Sequence, residues 1–100
     1  MPGLVYIGAE QITVSSTVIG PTASEVTPAA QKATFQHKNG GLIYHLIGTP
    51  TENGTAGEFE QGSGDIWDLY GHDAIANFKM VKQAGEVDAT IAVQYWGSGG

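Results

Sequence analysis

Residues 87–96 alternate with unusual regularity. Val87, Ala89, Ile91, Val93 and Tyr95 share one parity, while Asp88, Thr90, Gln94 and Trp96 share the other. A period of two is that of a β-strand with one face buried and the other solvated or covered by a partner. Residues 11–19 repeat the pattern, with Ile12, Val14 and Val18 on one side and Thr13, Thr17 and Ile19 on the other. Shorter runs at 32–37, 42–48, 58–61, 65–70 and 75–82 read as further strands, and 3–8 is an apolar stub. Sustained helical periodicity with caps is absent. The best helical candidate, 23–33, carries Pro28 in its interior and several β-branched or Ser residues, so it reads as loop with at most one helical turn at 28–31.

Turn chemistry punctuates these runs. Asn39-Gly40-Gly41 between two apolar segments predicts a hairpin, because Asn-Gly adopts positive φ cheaply. A second hairpin is expected across 83–86, and Gly71-His72-Asp73 turns the chain before residue 75. Residues 49–64 hold Pro50 and four glycines and read as a long loop with a short strand. About seven short strands at even spacing indicate an all-β fold, an antiparallel β-sandwich or small barrel. The expected organisation is an N-terminal arm or edge strand over 1–9, the sandwich over 10–96 and a flexible tail over 97–100.

Composition narrows the function. One hundred residues suit one domain, and 41% hydrophobic with 14% charged residues is globular rather than disordered. The net charge is −6, with four lysines and no arginine. Arginine is the preferred fork for phosphates and base edges, so neither nucleic acid nor an anionic membrane is an expected partner. With no cysteine, disulfides, zinc ribbons, thiol nucleophiles and iron–sulfur clusters drop out. The N-terminus lacks the basic region and apolar core of a signal peptide. No apolar run reaches the roughly 18–20 residues of a membrane-spanning helix.

Candidate chemistry is sparse. A two-residue turn at Asn39-Gly40 would put His37 and His45 on opposite faces of a hairpin, as ordinary sheet-surface histidines; a bulged turn would bring them together. Carboxylates gather at Glu52, Glu58, Glu60, Asp65, Asp68 and Asp73, but without calcium-loop spacing, and read as a solvated acidic surface. There is no G-x-S-x-G elbow and no phosphate-cradling Gly-Lys-Ser/Thr. No catalytic residue, cofactor or metal ligand is therefore expected, and the chain does not read as an enzyme. Interface candidates remain. Leu4, Val5, Tyr6 and Ile7 form an apolar arm that suits addition to a neighbouring sheet, against the simpler reading of a first strand of the domain's own sheet. Phe59 lies in the 51–64 loop. Trp96 leaves the core face of its strand by parity and so either covers an end of the sandwich or meets a partner.

Three stretches carry a resemblance. They are Ala33-Thr34-Phe35-Gln36 with Ile43-Tyr44-His45-Leu46-Ile47-Gly48-Thr49-Pro50-Thr51, then Gly71-His72-Asp73-Ala74-Ile75-Ala76-Asn77-Phe78-Lys79-Met80-Val81, and Asp88-Ala89-Thr90-Ile91-Ala92-Val93-Gln94-Tyr95. In style and spacing this region, residues 32–95, resembles a group of small tailed-bacteriophage virion proteins. The resemblance implies a non-enzymatic β-sandwich that decorates or cements a capsid, or one occupying a tail or head–tail connector position. It implies the major capsid protein or other virion proteins as partners, a homo-oligomer (a trimer, from the frequency of local three-fold decoration sites), and location in the virion after synthesis in host cytoplasm. The chain departs from the group's pattern in its longer 51–64 segment and in His45. A carbohydrate-binding sandwich using Trp67, Tyr70 and Trp96 is the competing expectation, and a small hydrolase a third.

Overall fold

In the computed structural model, which describes residues 3–22, 26 and 29–98, the alternating segments become strands. Among the described residues these are β1 (Leu4–Val14), β2 (Ala30–Asn39), β3 (Ile43–Ile47), β4 (Phe59–Gln61), β5 (Ile66–Tyr70), β6 (Phe78–Lys82) and β7 (Ala89–Ser98). One short helix, α1 (His72–Asn77), precedes β6. The strands form a four-stranded sheet in the order β1-β7-β2-β5 and a three-stranded sheet in the order β4-β3-β6. Every pairing is antiparallel. The expected sandwich is the architecture found.

Alternation sets what lies between the sheets. Ala89, Ile91, Val93 and Tyr95 of β7 are buried, as their shared parity requires; Val87 precedes the strand and stays exposed. They meet Ile12 and Val14 of β1, Ala33 and Phe35 of β2, and Ile43, Phe78 and Met80 from the second sheet, with Ile75 supplied by α1. An aromatic stack crosses the interior: Phe35 lies 5.3 Å from Trp67 and 4.7 Å from Phe78, and His45 lies 5.2 Å from Trp67. Fully burying a side chain such as Phe35 contributes about 1.5–3 kcal/mol.

Both expected hairpins are absent. β2 pairs with β5 and β7, and β3 with β4 and β6, so residues 40–42 carry the chain from one sheet to the other. The 83–88 segment makes the same crossing from β6 to β7. The two crossings pack on each other: Leu42 N donates to Glu86 Oε1 at 2.9 Å and Gln83 N to Leu42 O at 3.0 Å. Gly40 has φ 104°, as Asn-Gly suggested, but a Cβ there would also collide with the backbone of Asp88 and Ala89. The glycine serves a close approach of two crossings, not a tight reversal.

Other boundaries move as well. The apolar stub and the first part of the 11–19 run are one strand, and the chain leaves it after Val14. Ser15 O then accepts from Lys82 N at 3.0 Å, and Ile19 bridges Met80, so this segment covers the outer edge of β6. Residues 72–77, expected as a turn and the start of a strand, form α1, with Asn77 Nδ2 donating to Asp73 O at 2.8 Å. The helical turn expected at 28–31 is not found in its described part, since Ala30 and Gln31 belong to β2 and Pro28 lies outside the described residues. Gly97 and Ser98, expected in a tail, extend β7.

Candidate interaction surfaces

The N-terminal residues lie on an open sheet edge. β1 pairs with β7 on one side only; its other side meets no backbone partner among the described residues. A bulge at Ile7 separates the pairs Tyr6↔Trp96 and Gly8↔Tyr95. That extra residue inverts the parity, so Leu4 and Tyr6 turn outward beside Trp96 while Gly8, Ile12 and Val14 turn inward. Leu4, Val5, Tyr6 and Ile7 are 45%, 46%, 57% and 37% exposed. The single charge in the strand, Glu10, is tied down: it accepts from Tyr95 Oη at 2.5 Å, Thr22 N at 3.0 Å and Thr22 Oγ1 at 2.6 Å. The other edges are short (β4, β5) or covered (β6). β1 is thus a long edge with neither lysine nor proline, interrupted by the bulge at Ile7 and carrying one inward charge, Glu10.

Phe59 marks a second surface. It projects 72% exposed from β4 beside an apolar cleft of about 240 Å³ lined by His45, Leu46, Ile47, Gly57, Leu69 and Phe78. His45 forms the buried wall of that cleft, and burial pushes its pKa down to about 4. Gln61 Nε2 lies 3.1 Å from His45 Nε2. An amide nitrogen only donates, so this ring nitrogen accepts and the imidazole is neutral.

The outward face of the four-stranded sheet is the third. Cross-strand register lines up Tyr6, Trp96, Lys32 and Tyr70 in one row. Ala9, Gln94, Thr34 and Asp68 form the next, and Gln11, Ala92, Gln36 and Ile66 a third. Tyr6 stands edge-on to Trp96 with centroids 5.9 Å apart, and the Lys32 ammonium lies 5.6 Å from the Tyr70 centroid. Thr34 Oγ1 donates to Asp68 Oδ1 at 2.7 Å. The expected Trp67–Tyr70–Trp96 platform is divided: Tyr70 and Trp96 share this face, but Trp67 points inward to stack on Phe35 and His45. Sequence reasoning did not gather Lys32, Thr34, Gln36 and Gln94 here. Their parity was readable, but the adjacency of β2 to β7 was not.

His37 and His45 are not sheet-surface residues. Both are buried, on different sheets, and His37 Nε2 donates to Gly41 O at 2.6 Å. Several carboxylates make local bonds. Asp65 Oδ2 accepts from Gly62 N at 2.7 Å, and Glu60 Oε2 accepts from Gln83 Nε2 at 2.7 Å. Glu58 is pushed up by desolvation, but bonds from Thr51 N, Thr51 Oγ1, its own amide and Ala56 N outweigh this and hold its carboxyl at about 2. Among the described residues no three His, Asp or Glu side chains converge in a way that would hold a metal ion. Among the described residues no helix is long and apolar enough to cross a membrane. No protein-family model, curated protein or solved structure matches the chain.

Proposed function

We propose that this protein is a non-enzymatic structural component of a phage virion that binds and stabilises the capsid as a decoration or cement protein. The observation that carries the reading is the open edge of β1, whose first four residues are apolar and exposed. A partner strand laid along that edge gains main-chain hydrogen bonds, while Leu4, Tyr6 and Trp96 offer apolar contact on one side. The bulge at Ile7 and the inward Glu10 blunt this edge only in part, and no lysine, proline or covering backbone among the described residues completes the protection. Retention of such an edge fits a surface that is covered in the working assembly. Repetition over a symmetric shell multiplies a contact too weak to persist singly.

The test is sedimentation of the purified chain with shells assembled from tailed-phage major capsid proteins, that of the source phage among them. The chain should pellet with the shells, and Leu4→Lys with Tyr6→Lys should leave it in the supernatant. Failure of the unaltered chain to pellet refutes the capsid role, and association with tail or connector complexes instead would move it to that position.

A further inference from the structure

We propose that the outward face of the four-stranded sheet binds a neutral polysaccharide. Cross-strand register distributes the side chains of this face in rows. At one end stands the row Tyr6, Trp96, Lys32 and Tyr70, with Tyr70 65% exposed. Beside it lie Gln94, Thr34 and Asp68, then Gln11, Ala92, Gln36 and Ile66. Because Ala92 is small, the face dips on both sides of β7. A hollow of about 150 Å³ is lined by Thr34, Gln36, Ile66, Ala92 and Gln94, and another of about 380 Å³ includes Ala9, Gln11, Lys38, Ala92 and Gln94.

These two kinds of surface suit one chemistry. A pyranose presents an apolar C–H face and a rim of hydroxyls, each hydroxyl both donor and acceptor. Exposed aromatic rings take the first, and glutamine amides, each with two donors and an acceptor carbonyl, take the second. Strands sit about 4.8 Å apart, so Tyr6 on β1 and Tyr70 on β5, three spacings away, are about 14 Å apart. That span fits several linked sugars crossing the strands rather than a single one.

Charge excludes the rivals. Lys32, Lys38 and Asp68 leave the face close to neutral, and the chain as a whole carries −6, so a phosphate backbone or acidic polymer gains little here. An apolar protein surface would desolvate Gln36, Gln94 and Asp68 without repaying them. The face is thus polar where a protein core contact would be dry, and aromatic where a merely solvated surface would be charged.

The test combines a glycan array of neutral and acidic glycans with native electrophoresis through gels containing neutral polysaccharides. Binding to neutral glycans and retardation in at least one neutral gel are expected. Tyr70→Ala and Gln94→Ala, both at exposed positions, should each weaken retardation by about tenfold, with unchanged unfolding midpoints confirming the fold. Both variants should still pellet with capsid shells, and a single Leu4→Lys variant, which alters the β1 edge but leaves the row from Tyr6 to Tyr70 intact, should pellet less yet still be retarded, which separates this proposal from the capsid reading. No binding on the array or in the gels, binding to acidic glycans alone, or full retardation of Tyr70→Ala would overturn it.

Discussion

Acidification should destabilise this fold through one side chain, His45. In the folded chain the imidazole is 7% exposed, stacked on Trp67, and accepts a hydrogen bond from Gln61. Protonation would bury a charge and turn that acceptor into a donor facing a donor. The folded-state pKa accordingly falls from 6.5 to about 4. Unfolded, the ring takes up its proton near pH 6.5; folded, it resists until near pH 4. Between those values the unfolded chain binds more protons, so stability falls as pH falls through this window, and the contribution is fully present only above it. At about 1.4 kcal/mol for each pKa unit the drop is worth at most about 3.5 kcal/mol. The ring borders an open cleft, and screening there brings the expected loss to about 2 kcal/mol.

The assay is urea unfolding followed by tryptophan fluorescence across that pH window, with Trp67 against the ring as reporter. His45→Phe keeps the stack and removes the proton site, so its stability should decline less than the parent's by about 2 kcal/mol over the window. Parallel decline of the two proteins would mean that the pH dependence belongs to groups other than His45.

Two further outcomes test the loop over the three-stranded sheet. Gly54 has φ 68°, and a Cβ there would lie 2.7 Å from the Tyr44 ring. Gly54→Ala should therefore cost about 1–3 kcal/mol, read as a lower unfolding midpoint; an unchanged midpoint would mean the loop yields freely. Thr51→Val removes one donor to Glu58, and NMR titration should find that carboxyl risen from about 2 toward its ordinary 4.5. A value still near 2 would assign the effect to the backbone amides alone.

The individual strands were legible because each buries one face, and burial imposes a period of two. β7 is the clearest case: its inward residues Ala89, Ile91, Val93 and Tyr95, and the outward placement of Trp96, follow from parity alone. Ile7 broke this logic. One bulged residue reversed the facing of Leu4 and Tyr6, and nothing local marks where a bulge falls. The helix at 72–77 escaped notice because it is six residues long, without a side-chain cap, and buries Ile75 alone. So short an element has no period to read.

Alternation along the chain determined an antiparallel all-β fold, sandwich or small barrel, and the inward residues of β7 and of the second half of β1. It did not determine which strand lies beside which. Asn39-Gly40-Gly41 and the 83–88 segment mark changes of direction, and a change of direction satisfies a hairpin and a crossing between sheets equally well. The choice came from the interior, where Phe35, Trp67, His45 and Phe78 bury their rings only if β2 and β5 face β3 and β6 across the sandwich. The candidate surfaces follow from that choice. The open edge of β1 and the row from Tyr6 to Tyr70 exist because β7 inserts between β1 and β2, a long-range pairing that no local pattern encodes.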